Sequence, residues 1–491
     1  MFGVLTMVHT WGILKSTEIE RGYMCICETI GGFFMKRNLR FYFALMFARG
    51  TKLVLKLIGR KGTSMPGSWA IILCPDFIGR MPKPKKIIGI TGTNGKTTVS
   101  NMIEDVLEDN GISFMCNRAG TNVNTGIASA LINNSKFFGK PKHDIAVFEL
   151  DERSSPKLYP YMQPDMLLCT NIFRDSYKRN AHAEFILGIL NKEIPKTTKL
   201  ILNADDPLCC SIAPENERVY YGIDHLSTDK AECDNIVNDM PVCPNCSGPL
   251  VHDVVRYHHI GRVHCENCGY ASPTPDYRAS YVDEENGMMR VEKDGAANEY
   301  KLASTSNINI YNSLAAVAVL REIGLTDEQI QKSFEKMEIT ESRYSESMIG
   351  GKRVILHLTK AKNPIASSRV YEIVRNAPGK KSVIIFPYDY FDDRHSVENT
   401  AWFYDTDYEF LNDESIVQLI IGGNRHHDTY VRALLAGVPK EKIIHMQDEC
   451  EASEVISDEA DTVFVLHDVY TIRSANIIRQ KLEAKEKEAA K

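Results

Sequence analysis

Short apolar runs recur along this chain, and stretches with apolar residues at helical spacing follow them. Residues 87–90 (Ile-Ile-Gly-Ile) form one such run, and the stretch after it places Met102, Ile103, Val106 and Leu107 on one helical face. Residues 144–150, 166–171 and 199–203 repeat the pattern. Runs buried on both sides and alternating with helices predict a doubly wound α/β sheet. Ligands bind beyond the carboxyl ends of such strands, which puts Glu149, Asp151, Asn171 and Asp206 near the loop that follows residue 90 by topology alone. Residues 313–320 read as a helix of small residues suited to close packing. The alternation resumes at 354–358, 382–387, 417–422 and 462–466, which predicts a smaller C-terminal α/β domain.

Outside these runs the pattern changes. Residues 59–67 read as a loop, and 82–86 as a Pro/Lys linker. Residues 41–58 are apolar but carry Arg49, Lys52 and Lys56, an amphipathic helix that either packs on the body or lies on a membrane surface. No stretch reaches the ~18–20 uninterrupted apolar residues of a membrane span. Residues 1–34 lack the cationic and apolar order of a secretory signal, and Met35 is an alternative start. The expected division is an N-terminal extension (1–36), a segment packed on the core (37–84), a central domain (85–345), a C-terminal α/β domain (346–480) and a solvated charged tail (481–491).

The loop after the first run carries chemistry. Gly92-Thr-Asn-Gly-Lys-Thr-Thr98 joins a strand to a helix. Loop N–H groups and the helix dipole there suit an anion, and only glycine lets the backbone approach it closely. Lys96 is placed to reach terminal phosphates and the Thr97 hydroxyl to take a Mg²⁺ position. The general phosphate-loop pattern asks for glycine where this chain has Ile90.

A second motif lies inside the central domain, at about 240–273. Cys243-Pro-Asn-Cys246 and Cys265-Glu-Asn-Cys268 have zinc-ribbon spacing. Four thiolates would close a tetrahedral Zn²⁺ site, which makes it structural. A redox pair is the competing reading. His252, His258, His259 and His264, between the pairs, are read as exposed rather than as ligands.

Composition narrows the class. A chain of 491 residues suits about three domains, and its net charge of −6 argues against nucleic-acid binding. Its 13 cysteines show no disulfide framework, which with a nucleotide site suggests a reducing cytoplasm.

Together with the phosphate loop, Phe148-Glu-Leu-Asp-Glu152, Thr170-Asn-Ile-Phe-Arg-Asp175, Asn203-Ala-Asp-Asp-Pro207 and Asn309-Ile-Tyr-Asn-Ser-Leu-Ala-Ala316 resemble the Mur ligase core. The ribbon, Gly62-Thr-Ser-Met-Pro-Gly67 with Cys74-Pro-Asp-Phe77, Lys362-Asn-Pro364, Trp402-Phe-Tyr-Asp405 and Gly423-Asn-Arg-His-His-Asp428 are similar to the MurT family, the ligase-like subunits of lipid II isoglutaminyl synthases. The resemblance runs from about residue 38 to 479 and implies a cytoplasmic enzyme of peptidoglycan biosynthesis, with the inner face of the plasma membrane as a further location. The implied reaction activates the D-Glu α-carboxyl of the lipid II stem peptide as an acyl phosphate. Ammonia from a separate glutamine amidotransferase subunit then gives D-isoglutamine.

The resemblance also implies site residues. Gly92, Thr93, Asn94, Gly95, Lys96, Thr97 and Thr98 would hold the phosphates of ATP, with Asn312 and Arg343 also on the nucleotide. Thr97 and Glu149 would hold Mg²⁺, and Cys243, Cys246, Cys265 and Cys268 would hold Zn²⁺. Lys96 and Glu149 would act in phosphoryl transfer. Asp405 would steer ammonia or take its proton, with Asp392 and Asp393 as rivals. Asp206 either joins the site or caps a loop.

Some positions depart from the family pattern. Residues 176–184 lack its acid, Arg and Gly-Glu pair, Asn399-Thr400-Ala401 stands where the family has Asp-Val-Ser, and 359–364 holds extra residues. These changes leave open a Mur-like ligase acting on another carboxylate without a glutaminase partner.

Overall fold

A computed structural model describes residues 35–60, 62–118, 121–175, 182–337, 344–359, 362–389 and 400–489. Its larger sheet has nine strands: β1 (Lys86–Thr91), β2 (Phe114–Cys116), β3 (Ile145–Glu149), β4 (Met166–Cys169), β5 (Lys199–Asn203), β6 (Arg218–Ile223), β9 (Tyr277–Asp283), β10 (Met288–Lys293) and β11 (Ala296–Lys301). The hairpin β7 (Val251–Tyr257) and β8 (Ile260–His264) stands apart from it. The order is β11-β10-β9-β6-β5-β4-β1-β3-β2, parallel from β2 through β9, with β10 and β11 added antiparallel. The antiparallel edge was not expected from the apolar runs, because β10 and β11 interleave apolar with polar residues and are partly exposed.

The parallel strands alternate strictly. Ile88, Ile90, Val147, Leu168 and Ile201 face the helices Lys96–Asp109 and Asn307–Glu322. Ile87, Ala146, Phe148, Leu167 and Leu202 face the helices Leu39–Leu57, Asn124–Asn133 and Ala183–Glu193. Both faces are covered, as a parallel sheet requires. β1 has β3 on one side and β4 on the other, so the loop leaving β1 sits where the strand order reverses.

The stretch read as a loop at 59–67 becomes helical at Met65–Leu73. Pro66 lies in its first turn, where a missing N–H costs nothing. A Cβ on Gly67 would collide with Thr125 O, so glycine lets this helix cross Asn124–Asn133 closely.

A six-stranded sheet follows: β12 (Tyr344–Ile349), β13 (Lys352–Leu358), β14 (Lys381–Ile385), β15 (Ile416–Ile421), β16 (Ile443–His445) and β17 (Thr462–His467), ordered β12-β13-β17-β14-β15-β16. All neighbours are parallel except β12 with β13. The helix Pro364–Asn376 packs one face, with Val370, Tyr371 and Val374 against Val383 and Leu419. Ala475 and Ile478 of the helix Ile472–Ala489 pack the other.

Polar contacts join the two sheets' units. Lys230 pairs with Glu372 at 3.1 Å and Arg375 with Asp234 at 2.9 Å. Asp407 accepts from Ile236 N at 2.6 Å and from Asn235 Nδ2 at 2.9 Å. The segment between β6 and β7 is therefore the seat of the C-terminal unit.

Candidate active site

The phosphate loop is held from below by the end of β4. Thr93 N donates to Asn171 O at 2.8 Å, Asn94 N donates to Asn171 Oδ1 at 3.0 Å, and the Thr170 hydroxyl donates to Asn94 O at 2.6 Å. Thr93 Oγ1 accepts from Phe173 N at 2.9 Å and donates to Phe173 O at 3.1 Å. Gly92 and Gly95 have φ of 119° and 88°. A Cβ on Gly92 would collide with the Thr170 hydroxyl, and one on Gly95 with Asn312 Oδ1. The two glycines thus satisfy both the turn and its close packing. The helix Lys96–Asp109 starts at Gly95 with no side-chain cap, so its first-turn N–H groups, including that of Thr98, offer an anion site.

Two carboxylates flank the loop. Thr97 is exposed, and its hydroxyl donates to Glu149 Oε2 at 2.8 Å. Asn122 Nδ2 holds the other oxygen, Oε1, at 3.1 Å, while Asn117 bonds both main-chain groups of Glu149 at 2.9 Å. A hydroxyl and an oriented carboxylate at this separation are hard oxygen donors of the kind Mg²⁺ takes.

Glu152 is the residue that sequence reasoning passed over. Its Oε1 accepts from Gly92 N at 2.7 Å, from the Thr91 hydroxyl at 3.0 Å and from Lys96 Nζ at 3.2 Å, and only 4% of the residue is exposed. Lys96 also donates to Gly92 O. Burial lowers the Lys96 pKa, but Glu152, Glu149 and Asp151 outweigh it and hold the ammonium above the usual lysine value. The signal was present in the run of acids ending β3, but which acid turns inward is a matter of the turn Glu152–Ser154.

Asn312 lies against Gly95 and donates to Asn309 Oδ1 at 3.2 Å. Arg343, Asp392, Asp393 and Asn399 lie outside the described residues. Asp206 engages main-chain groups outside the loop with its carboxylate. It caps Pro207–Cys210 by accepting from Leu208 N and Cys209 N, and it accepts from Ile172 N at 2.8 Å. The capping alternative is the one observed.

The histidines between the cysteine pairs were expected to be exposed, but His252 and His264 are half-buried and the other two are buried fully. His258 and His259 have no exposed surface. They form the tip of the β7–β8 hairpin, where the His259 ring packs 4.5 Å from Phe173 and its Nε2 stands 3.3 Å from Asp206 Oδ1. The hairpin points its cysteine end outward and its histidine end at the residue that anchors Thr93. Spacing between cysteines carries no information about which end of the hairpin is buried.

At the other end, Cys243 Sγ lies 3.6 Å from Cys268 Sγ and Cys246 Sγ 3.5 Å from Cys265 Sγ, with all four sulfurs within 4.8 Å of one another. Tetrahedral Zn–S bonds would give about 3.8 Å between sulfurs, so the four thiolates fit such an ion.

Asp405 ends the short helix Trp402–Asp405. Its Oδ2 pairs with Arg174 Nη1 at 3.0 Å, and Arg174 Nη2 pairs with Asp239 at 2.6 Å. Arg174 directly follows Phe173, so the C-terminal unit reaches the loop's own anchor. Asn363 adds a second tie, donating to Asp175 Oδ1 at 3.2 Å.

The model for the Mur ligase middle domain matches residues 90–240, and that for the MurT ligase C-terminal region matches 360–472. The MurT subunit of lipid II isoglutaminyl synthase from Staphylococcus aureus (strain COL) is 32% identical over 82% of this chain and 89% of its own length. The corresponding subunit from Streptococcus pneumoniae is 32% identical over 83% and 89%.

The chain belongs to the MurT family.

Solved structures agree at the level of fold. A pseudomurein peptide ligase from Methanothermus fervidus superposes with a TM-score of 0.62 at 21% identity, over 83% of this chain and 81% of its own. MurF from Acinetobacter baumannii superposes with a TM-score of 0.56 at 14% identity, over 84% and 80%. Mur ligases use ATP and Mg²⁺, and the phosphate loop and the Thr97–Glu149 pair of this MurT relative offer donors for both. No helix among the described residues is long and apolar enough to cross a membrane.

Proposed function

We propose that this chain is the ligase subunit of a lipid II isoglutaminyl synthase. It would amidate the D-Glu α-carboxyl of the lipid II stem peptide at the expense of ATP, with ammonia from a glutamine amidotransferase subunit. The observation that carries the reading is the joining of an intact phosphate site to a MurT-type C-terminal region through Arg174 and Asp405. The names of the curated relatives, subunits of a glutamine-hydrolysing lipid II isoglutaminyl synthase, support the substrate and the partner proposed. The same reading divides the chain near residue 345 into an ATP-binding and a C-terminal domain.

A carboxylate is a poor electrophile, and transfer of the γ-phosphoryl group to it supplies a leaving group. Little covalent work falls to the protein, so positioning and charge dominate. Lys96 and the first-turn amides would hold the phosphates. Glu152 would keep Lys96 charged and aimed along the loop between turnovers. Thr97 and Glu149 would hold Mg²⁺, which supplies charge neutralisation on the phosphoryl oxygens. Asp405 would accept a proton from, or orient, the incoming ammonia. The four cysteines would hold a structural Zn²⁺.

A lipid-linked substrate implies work at a membrane surface. Residues 35–60 hold seven basic and no acidic residues in a chain of net charge −6. Phe43, Phe47 and Trp69 form a connected exposed aromatic row, with ring centroids 6.3 and 5.6 Å apart. Aromatic and basic residues together favour the interface of an anionic bilayer, each basic side chain adding ~1 kcal/mol. We therefore place the protein at the inner face of the plasma membrane.

The test of the whole reading is co-expression with a candidate glutaminase and mass spectrometry of lipid II. Exchange of one oxygen for one NH on the stem peptide is expected. Unchanged lipid II beside intact ATP turnover would overturn it in favour of another carboxylate.

A further inference from the structure

His426 and His427 open the helix His426–Leu435, and His445 ends β16. These residues belong to neither the phosphate loop nor the cysteine cluster. Their ligand nitrogens all lie within 4.8 Å of one another, and Nδ1 of His426 faces Nδ1 of His445 at 3.0 Å. Two imidazole nitrogens at that separation share one proton or one ion. Tetrahedral ligation at ordinary metal–nitrogen distances would separate them by about 3.3 Å, so little movement is needed.

The surroundings favour an ion over a bare cluster. Tyr430, one turn along the same helix, packs its ring 4.5 Å from that of His445 and fixes its orientation. Arg425, the nearest cation in sequence, is drawn off by Asp389, whose Oδ2 accepts from Nε at 2.7 Å, and by Asp428 at 3.3 Å. Its charge is thereby compensated rather than aimed at the histidines. His427 is exposed, which leaves an ion a path of entry. The place is also one where ligands collect: β15 and β16 are adjacent parallel strands, and the cluster gathers at their carboxyl ends.

We propose that His426, His427 and His445 form a second metal site, for a borderline divalent transition ion such as Zn²⁺, Ni²⁺ or Cu²⁺. Three imidazoles select that class over Mg²⁺ or Ca²⁺, which prefer oxygen. They leave a fourth position open to water or a carboxylate. β16 has only three residues and pairs on one side only, with β15. An ion shared by His445 and the helix start would staple this edge strand to the sheet.

The site is tested on the untagged full-length protein, its cysteine cluster loaded with zinc. Calorimetric titration with Ni²⁺ is expected to show one site per chain with micromolar affinity and no release of zinc. Cu²⁺ in the same protein should give an electron paramagnetic resonance spectrum with splitting from several nitrogens. His445→Ala should weaken Ni²⁺ binding at least tenfold, and so should His427→Ala, whose exposed position leaves folding intact. Binding weaker than millimolar, or affinity unchanged in His427→Ala and His445→Ala alike, would overturn the assignment.

Discussion

Arg174 Nη1 and Asp405 Oδ2 stand 3.0 Å apart, and this ion pair crosses from the unit that carries the phosphate loop to the C-terminal unit. It ties the proposed ammonia-handling acid to the residue next to Phe173, which itself bonds Thr93. A latch and a catalytic acid occupy the same side chain here, and the two roles predict different kinetics.

Replacement of Asp405 by Asn is expected to lower amide formation by about 100-fold, the usual scale for a lost general base. ATP affinity should change no more than about threefold, since 1.4 kcal/mol is a factor of ten and one partly exposed pair contributes less. Arg174→Gln should lose less, about tenfold. Equal losses in both variants, with no further loss when they are combined, would show that Asp405 serves only as a latch.

Lys96→Ala should abolish ATP turnover, by about 1000-fold or more, while far-ultraviolet circular dichroism stays unchanged. Glu152→Gln is a milder cut at the same place. It keeps an acceptor for Gly92 N but removes the charge that faces Lys96, so turnover should fall while the variant still folds. Wild-type turnover in Lys96→Ala would remove the phosphate-loop assignment.

Cys265→Ser should release the ion from the cluster, measured by elemental analysis. A ribbon of this size has little core of its own and draws on metal binding for its folding. The hairpin tip carries His259 onto Phe173, so the loss should reach the nucleotide site. The expected drop in ATP affinity is roughly fivefold, the worth of one aromatic contact. Zinc-free protein with wild-type affinity would show that the two ends of the hairpin act independently.

His258 predicts an acid-labile step. Burial pushes its pKa down to about 4, and its Nδ1 donates to Val237 O at 3.2 Å in the neutral form. The unfolded chain takes up the proton near 6.5, before the folded chain does. The stabilisation is therefore complete above about pH 6.5 and is lost as pH falls toward 4, by roughly 3 kcal/mol. His258→Asn keeps a donor and tolerates the φ of 49° found here. Urea unfolding of that variant should show a flatter dependence across this window, and an unchanged slope would refute the attribution.

The linear pattern was enough for the central parallel strands of each sheet, for the phosphate-loop motif and for the cysteine pairs, but not for the edge strands. Ile87, Ala146 and Leu167 on one face, against Ile88, Val147 and Leu168 on the other, follow from period-two burial, a local property. Gly92, Gly95 and Lys96 form a contiguous motif whose chemistry is set within a few residues, and the cysteine spacing is equally local. The tertiary structure decided what depends on where distant segments meet. Glu152 rather than Asp151 bonds Lys96 because of a single turn after β3. Asp206 caps its helix through local N–H groups, but its further contacts with Ile172 N and His259 come from other elements. His258 and His259 are buried because the β7–β8 hairpin folds back onto Phe173, and no spacing along the chain records that contact. The pairing of His426 with His445 likewise exists only because β15 and β16 are neighbours.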